Sequence, residues 1–417
     1  MEIRLSRRYF LGLLGTASLW PFSRLKANSA PMNFRIRTIT AGMQLGNGTE
    51  LEKIEANIKF LQQTRRKFEA LGYEIQTLRM ATQSLSEYIM DWKSPAALET
   101  IRAIDRLATE HEILFSIGPV IKDDQHDPGF AGWAAQLINQ TSNISFSVSV
   151  ASPEQGIHQR SARSAAEAIA AIARDTPGGE GNFRFAGTAW CPPGTPFFPA
   201  AYHAGTNAFS IGLESPNILQ TAFTGTVSMR EAKTRLKTQM ETALDPIEKL
   251  ATEIAQRTGL RYLGIDVSPA PGLDASIGRA IEMLIGEPFG NPSTLSACAA
   301  ITDVLKGLSI RTCGYSGLML PVLEDPVLAR RAAEGRYSVS ELLLFSSVCG
   351  TGLDVVPLPG DVPVDTLAAL IRDVAALATK LRKPLSARLL PVSGKKAGES
   401  VHFDNPYLTD SSVMGPG

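Results

Sequence analysis

Three carboxylates and one histidine are candidate catalytic groups of the sequence, and two of the carboxylates lie where apolar strands are predicted to open into loops. Asp266 ends the apolar run 262–265, Glu214 ends the run 209–213, and Asp354 lies within the stretch GLDVVPLPG. Barrel enzymes commonly draw catalytic groups from such strand ends. If these carboxylates converge with His203, they suit a divalent metal, or one acts as general base while another stays protonated. A structural role for Asp266 and Asp354 stays open.

The four cysteines, Cys191, Cys298, Cys313 and Cys349, form no C-x-x-C pair, so their spacing does not indicate a structural zinc site. Cys349 is the candidate nucleophile, and His203, in a proline-rich loop, is the histidine best placed to act as its base. The alternative is a buried thiol that packs as a small hydrophobe. A disulfide is also open, but the sequence indicates no pairing.

The glycine-rich turn 313–317 is a candidate substrate-binding element. Backbone N–H groups around Gly314 and Gly317 would cradle an anion, with Tyr315 or Ser316 donating a hydrogen bond. Alternatively, the two glycines only permit tight turns. The turn is not a phosphate loop, because the Gly-Lys-Ser/Thr ending is absent.

The two acidic residues that follow, Glu324 and Asp325, are predicted to be structural. Asp325 precedes Pro326 and is typical of a helix N-cap.

Short β-rich runs alternate with longer helical patterns along the chain, and they predict ten strands and ten helices. The predicted strands are 34–40, 74–79, 113–118, 144–150, 182–187, 208–213, 262–267, 316–322, 353–358 and 386–391. The predicted helices are 51–71, 95–109, 130–140, 161–174, 229–258, 276–285, 294–308, 326–334, 338–348 and 364–381.

This alternation favours a mostly parallel sheet covered by helices, since several strands are apolar throughout. No composition shift divides the body, so residues 33–400 are predicted to form one α/β domain. Residues 401–417 are predicted to be a loose C-terminal tail on the surface.

Five motifs make the sequence resemble a known but uncharacterised family. They are RTITAG, FFPAAYHAG, GIDVSPAPG, CGYSGLMLPVLEDPVLA and VCGTGLDVVPLPGD, in this order. The chain is similar over about residues 33–400 to the domain of unknown function 711 family of bacteria and archaea. That resemblance implies a ten-stranded α/β barrel like that of the pyruvate formate-lyase-like glycyl radical enzymes.

The resemblance in fold does not carry the radical chemistry with it. A glycyl radical enzyme needs a radical glycine in a short C-terminal motif, and PVSGKKAGESVHFDNPYL does not contain it. Export to an oxygen-exposed compartment would also quench such a radical. We therefore expect non-radical chemistry.

The N-terminus carries an export pattern. Residues 6–11, SRRYFL, match the twin-arginine consensus and precede a weakly apolar run and a small-residue site at 27–29. We expect residues 1–29 to be a signal peptide read by the twin-arginine export machinery and cleaved, with an uncleaved tail as the alternative.

The mature protein is then expected to be soluble and periplasmic or otherwise extracytoplasmic. No other run of about 18 apolar residues is present, so no transmembrane segment is expected. Cleavage removes five basic and one acidic side chain, which leaves a slightly acidic chain without the basic patch of a nucleic-acid-binding protein.

These observations predict an enzyme of hydrolase or lyase type that acts on a small polar or anionic substrate at a barrel mouth. The alternative is a periplasmic small-molecule binding protein without turnover. Tyr315, Cys349 and Asp354 are expected to share one end or the interior of the barrel. Asp266 is expected to join them only if its strand runs antiparallel to theirs.

Overall fold

The computed structural model of the protein describes residues 34–417. The expected signal peptide, residues 1–29, lies outside the described residues. The described chain forms a single α/β domain around one mixed, mostly parallel sheet of ten strands.

The longer strands match the sequence expectation closely, apart from the run 316–322, which is not a regular strand. Three strands of two residues each were not predicted. The bounds of all the strands are β1 Arg35–Gly42, β2 Ile75–Ala81, β3 Ile113–Ile121, β4 Ile144–Ser152, β5 Gly156–Ile157, β6 Phe185–Ala189, β7 Ala208–Glu214, β8 Arg261–Pro269, β9 Gly352–Pro359, β10 Leu385–Val392, β11 Ser400–Val401 and β12 Ser411–Ser412.

The helices also match, with α5 as an addition that the sequence patterns did not predict. Their bounds are α1 Leu51–Ala70, α2 Pro95–Glu110, α3 Phe130–Gln140, α4 Gln159–Asp175, α5 Pro216–Phe223, α6 Met229–Thr258, α7 Ile277–Ile285, α8 Thr294–Lys306, α9 Pro326–Ala333, α10 Val339–Ser346 and α11 Val364–Leu381. None of these helices combines the length and apolarity needed to cross a bilayer.

Capping side chains set where several helices begin. Ser94 and Ser228 accept from backbone N–H groups at the start of α2 and α6, and Ser338 forms a capping box with Glu341 at α10. Asp325 caps α9, as the sequence predicted, and it also accepts from the first N–H groups of α7. One buried carboxylate therefore holds two helix ends together.

The sheet consists of two oppositely directed sets of strands. The strand order is β8-β7-β1-β2-β3-β4-β6-β10-β9, with the short β5 paired to β4. β1, β2, β3, β4 and β6 run parallel to one another, and β7 pairs antiparallel with β1 while β10 pairs antiparallel with β6. β7, β8, β9 and β10 therefore share the opposite direction.

No regular ladder joins β8 to β9, so strand pairing does not close the expected barrel. Residues 311–322, between these end strands, instead bond to each of them at isolated points. Cys313 N donates to Ile265 O of β8 at 3.1 Å, and Val322 N donates to Asp354 O of β9 at 3.0 Å. Both isolated bridges are parallel.

The two faces of the sheet differ in chemistry. Strand register places apolar side chains on the outer face, under the helices: Ile39, Leu78, Met80, Phe115, Phe146, Phe185, Ile211 and Ile265. The alternate positions form the interior face, which is polar and yet buried: Thr38, Thr40, Arg79, Ser116, Ser145, Ser147, Thr188, Ser210, Asp266, Ser386 and Arg388.

The loop between β6 and β7, residues 190–207, covers part of this interior face. Pro196 O accepts from Arg79 Nη1 at 3.1 Å, Ala201 O accepts from Ser116 Oγ at 2.5 Å, and His203 N donates to Thr82 O at 2.8 Å. We call residues 190–207 the covering loop. Its carbonyl groups satisfy donors that would otherwise be buried without partners.

The C-terminal residues do not form the loose surface tail that the sequence suggested. Phe403, Leu408 and Val413 are buried in a second apolar cluster with Leu323 and Leu390. The tail also bonds to the body, with Thr409 N donating to Leu323 O and Met414 N donating to Pro357 O. The apolar side chains of this segment are spaced among polar residues, and they pack against an apolar surface of the domain.

Candidate functional site

Asp266 lies on the interior face and binds the glycine-rich turn. Its carboxylate accepts hydrogen bonds from Tyr315 N at 3.0 Å, Ser316 N at 2.9 Å and Ser268 N at 3.1 Å. Ser268 Oγ donates a fourth at 2.6 Å. Burial raises the pKa of Asp266, and these bonds act against that rise.

The turn does cradle an anion, but that anion is the carboxylate of Asp266. Gly317 N donates to Ser268 Oγ, and Ser316 Oγ donates to Cys313 O. Gly314 has φ +62°, and a Cβ there would lie 2.3 Å from Asp266 Oδ2, while one at Gly317 would lie 2.7 Å from Gly350 Cα. The glycines permit these close approaches, so the N–H groups of Tyr315, Ser316 and Gly317 are not free for a substrate.

Asp266 reaches Tyr315 although β8 runs parallel to β9, so the expectation that this contact needs an antiparallel strand is wrong. The intervening residues 311–322 run parallel to both. They carry the turn directly alongside Asp266.

A chain of alternating charges runs from the exposed end of β1 into the interior. Arg35 contacts Glu214, Asp274 and Glu74, and Arg37 Nη2 lies 2.6 Å from Glu324 Oε2. We call Arg35, Arg37, Glu214, Glu324, Arg388 and Asp354 the ion-pair chain.

The inner end of the ion-pair chain is Arg388, which joins two carboxylates. Arg388 Nη2 lies 2.5 Å from Glu324 Oε1, and Arg388 Nε lies 2.7 Å from Asp354 Oδ1. The second oxygen, Asp354 Oδ2, is buried and has no hydrogen-bond partner among the described residues. Asp354 is therefore held on one side and free on the other.

The environments of these two carboxylates shift their pKa values in opposite directions. Burial acts to raise the pKa of Glu324, but Arg388 and Arg37 outweigh it and hold the pKa below its usual value. Burial raises the pKa of Asp354, helped by the negative charge of Glu324 and opposed by Arg388. Because the two pKa values are shifted apart, Asp354 is the carboxylate that is more easily protonated.

Arg79 is the buried cation that the ion-pair chain leaves without a carboxylate in contact. Its Nε donates to Thr77 Oγ1 and its Nη1 to Pro196 O, while Nη2 donates to none of the described residues. Its guanidinium carbon lies 4.9 Å from the Phe198 ring centroid. Burial lowers the pKa of Arg79 to about 9, and the charge of Arg37 adds to that effect.

Tyr315 places a phenol in the same interior. Its ring contacts Phe197 of the covering loop at 5.3 Å between centroids, and its hydroxyl lies beside the side chains of Ser386 and Cys191. Burial raises the pKa of Tyr315 well above its usual value, and it raises that of Cys191 to about 11. Both groups are therefore neutral proton donors near pH 7.

His203 and Glu214 lie at opposite ends of β1 and do not share a site. His203 packs against Gly42, the last residue of β1, and its Nε2 donates to Gly205 O and Thr206 O. Glu214 pairs with Arg35, the first residue of β1. These ends are about 20 Å apart at the rise of a β-strand.

Among residues 34–417, His, Cys, Asp and Glu side chains form no group of three or more arranged to hold a metal ion. The carboxylates considered as ligands bind arginines or backbone N–H groups instead.

Cys349 lies in the apolar core rather than on the interior face. It is buried beside Cys298 of α8, and its carbonyl oxygen accepts from Lys383 Nζ at 2.5 Å. His203 contacts the covering loop and β1 instead. The cysteine–histidine pair expected from the sequence is therefore not assembled.

Comparisons with known proteins place the sequence of this chain in a family. A family model described as "Uncharacterised ACR (DUF711)" matches residues 30–405. The chain belongs to the DUF711 family. Its relatives include proteins named UPF0210 protein from archaea and bacteria.

The relative from Pyrobaculum islandicum is 31% identical over 376 residues, which cover 85% of this chain and 82% of the relative. The relative from Methanocaldococcus jannaschii is 26% identical over 410 residues, with 89% and 88% covered. The relative from Neisseria gonorrhoeae is 25% identical over 400 residues, with 90% and 89% covered. These names state no activity, so within the DUF711 family the function of this chain has to be argued from its own site.

Three arginines of the site, Arg37, Arg79 and Arg388, were missed by the sequence reasoning, and Glu324 was assigned a structural role. The signal was nonetheless present. Arg79 and Arg388 are the charged residues within otherwise uncharged strands, in QTLRMA and SARLLPV. A charge in a buried strand requires a partner, and it is a stronger indication of a polar interior than carboxylates at strand ends.

Proposed function

We propose that this chain is an enzyme that acts on a small polar or anionic molecule at the interior face, and that Asp354 exchanges a proton with it. The observation that carries the proposal is the buried carboxylate of Asp354, which Arg388 holds through Oδ1 and which presents Oδ2 without a partner. A buried polar atom without a partner costs stability, and function is a common reason for its retention.

The chemistry that fits this arrangement is non-radical acid–base or hydrolytic catalysis. A carboxylate whose pKa is raised takes and returns a proton near neutral pH more readily than an ordinary aspartate. The neutral hydroxyl of Tyr315 supplies a hydrogen-bond donor, and Arg388 keeps the Asp354 side chain in position. Glu324 stays ionised and balances the charge of the arginines.

The experiment is metabolite depletion by purified protein comprising residues 30–417, followed by mass spectrometry of the incubated mixture. Asp354→Asn should lower turnover of any depleted compound by about 10²- to 10⁴-fold, the usual contribution of an acid–base group. The control is Asp303→Asn, since Asp303 is an exposed carboxylate on α8, and its turnover should match that of the wild type.

Compounds that stabilise the protein and are not consumed would support the alternative, a small-molecule binding protein. Undiminished turnover by Asp354→Asn would refute the role of Asp354.

We further propose that residues 311–322 complete the ring between β8 and β9, which would give the ten-stranded barrel that the family resemblance implies. The support is the set of parallel backbone bonds to both end strands. With this segment, and with the two-residue β5 left out of the count, each of the two opposed sets would contain five strands.

We also propose export by the twin-arginine pathway, which would place the protein outside the cytoplasm. The support is the SRRYFL pattern at residues 6–11. Intact-mass measurement on exported protein should give the chain without residues 1–29. Replacing Arg7 and Arg8 by lysine should keep the full-length chain in the cytoplasm, and unaltered export of that variant would contradict the proposal.

A further inference from the structure

Arg79 is a buried cation without a carboxylate in contact. Arg37 forms an ion pair with Glu324, and Arg388 forms ion pairs with Glu324 and Asp354. Among the described residues, Arg79 forms no such pair. Charges buried in proteins are normally paired, so an unpaired buried cation indicates an anion that is bound in the working protein.

The hydrogen bonds of Arg79 are made to neutral groups. Arg79 is 8% exposed, and its two bonded nitrogens reach only neutral oxygens, Thr77 Oγ1 and Pro196 O. Neither Arg79 Nη2 nor Arg388 Nη1 donates to any residue within 34–417. Guanidinium N–H groups left free in this way match the geometry of a carboxylate or a phosphate.

Neutral polar groups without partners extend the same face. Ser145 Oγ, Ser147 Oγ and the Tyr315 hydroxyl are buried without a hydrogen bond of good geometry among the described residues. Register places Ser145 beside Ser116, two residues along β4 from Ser147. Hydroxyl groups of this kind suit the uncharged polar part of a ligand whose charged end is bound elsewhere.

We propose that Arg79 is the anchor for an oxyanion, a carboxylate or phosphate group, of the small molecule that this protein binds. The inference rests on the proposed function for the location of the site, and it adds the chemical class of the ligand. The free N–H of Arg388 is the second donor, and the hydroxyls of Ser145 and Ser147 contact the remainder of the molecule.

The test measures thermal stabilisation and calorimetric binding of inorganic phosphate and of malonate, with sodium chloride at matched ionic strength as reference. The wild type should be stabilised by at least one of the two probes beyond the sodium chloride reference. Phosphate alone would assign a phosphate ligand, and malonate alone would assign a carboxylate. Arg79→Gln should weaken the binding by about 10- to 100-fold, as expected for a hydrogen bond to a charged group.

The matched control is Arg184→Gln. Arg184 is also a buried arginine, but it donates to the backbone oxygens of Ile138 and Ile144 and contacts no residue of the ion-pair chain. This variant should bind the probes as the wild type does. If Arg79→Gln fails to fold, Arg79→Lys keeps the charge and loses the planar pair of donors, and it should weaken binding by at least several-fold.

The pH dependence of probe binding is a second test of the role of Arg79. Burial, together with the charges of Arg37 and Arg388, lowers the pKa of Arg79 to about 9, and Tyr407 and Glu324 act against that effect. Probe affinity should therefore decline between pH 8 and pH 10. The Arg184→Gln control should keep this pH dependence of probe binding, and Arg79→Gln should lose it.

Two results would overturn the inference: no stabilisation of the wild type beyond that by sodium chloride, or equal affinities of the wild type and Arg79→Gln. Failure of the proposed function is distinguishable, because it would appear as probe binding that depends on Arg79 together with turnover that is unaffected by Asp354→Asn.

Discussion

At the scale of single residues, two interior aspartates with similar burial have different surroundings. Asp266 uses its oxygens for four hydrogen bonds within the protein, whereas Asp354 leaves one oxygen unused. Burial alone does not separate a structural carboxylate from a functional one. What distinguishes Asp354 is a buried oxygen without a hydrogen bond, which lowers the stability of the folded protein.

Asp266→Asn should therefore reduce stability more than Asp354→Asn does. An amide at position 266 would turn an N–H group toward the N–H of Tyr315 or Ser316, at a cost of about 2–4 kcal/mol. In Asp354→Asn the carbonyl oxygen can still accept from Arg388 while the amide takes the position of Oδ2, and about 1–2 kcal/mol is expected.

Urea unfolding of the two variants measures this difference. Equal stability of the wild type and Asp266→Asn would contradict the structural role of Asp266 in holding the glycine-rich turn, and Asp266 would again be a candidate for catalysis.

His203 should make the stability fall on the acid side. Burial lowers its pKa in the folded protein, opposed by its hydrogen bonds to Thr206 O and Gly205 O, whereas the unfolded chain keeps the ordinary value of 6.5. Below pH 6.5 the unfolded chain therefore binds more protons, and the free energy of unfolding decreases as the pH falls from 6.5 to the folded pKa.

His203→Gln keeps a donor for Gly205 O and Thr206 O and removes the titration. The stability difference between wild type and variant should be constant from pH 7.5 to pH 8.5 and should shrink toward pH 5. A difference that does not change across pH 5–8 would show that His203 is protonated equally in both states.

At the scale of elements, residues 311–322 bond to β8 and β9 at isolated points without forming a regular strand. The sequence GLMLPV favours a strand, but Pro321 lacks an N–H and Gly317 is pressed against Gly350, so only isolated bridges form. The bonds that do form have ordinary lengths, such as the 2.8 Å from Gly350 N to Leu318 O. This segment contains the turn that binds Asp266, and it ends two residues before Glu324.

Hydrogen exchange should reveal whether this segment is as stable as the strands it joins. The amides of Cys313 and Val322 should exchange as slowly as those in the centres of β8 and β9, because they donate to Ile265 O and Asp354 O. Exchange resolved on peptides covering 311–323 provides the measurement. Rapid exchange there, with slow exchange in β8 and β9, would mean that the sheet opens at this seam.

At the scale of the whole molecule, the tail completes the fold. Val401, Phe403, Leu408, Val413 and Met414 are each at most 6% exposed. Tyr407 stacks on Phe183, whose ring centroid lies 4.8 Å from the guanidinium carbon of Arg388. The C-terminal residues therefore support the ion-pair chain as well as the second apolar cluster.

Removing residues 400–417 should reduce the free energy of unfolding by about 5 kcal/mol or more, given roughly 1.5–3 kcal/mol for each large apolar side chain taken out of contact. Removal of residues 415–417, which are mostly exposed, is the control and should have little effect. Denaturant unfolding measures both. A truncated chain as stable as the control would show that the tail packs without contributing to stability.

The sequence predicted which segments form strands and helices better than it predicted which of these elements contact one another. Strand and helix periodicities placed nearly every long element, since each pattern is set by whether alternate or every third to fourth side chains are buried. The eight-residue α5 was missed because a short apolar run after a proline does not distinguish helix from loop. The position of the covering loop depends on tertiary contacts that no local pattern records.

The candidate site was predicted only in part for the same reason. Asp266, Tyr315 and Asp354 belong to neighbouring elements and were found by motif, and the structure brings them to one face. Arg37 and Arg388 lie 351 positions apart and meet at Glu324, so their contact depends on the strand order. Cys349 lies in the apolar core, which is the alternative that the sequence left open, because no local pattern between a helix and a strand indicates which side a thiol faces.

The alternation of apolar outer and polar interior side chains along the strands affects how such a protein can evolve. The residues that keep it folded and the residues that would meet a ligand occupy alternate positions of the same strands, on opposite sides. Substitutions at Ser145, Ser147 or Thr188 would alter recognition with little effect on the packing under the helices. A scaffold of this kind can acquire new ligand preferences without first sacrificing its stability, so members of one lineage with the same architecture need not share a substrate.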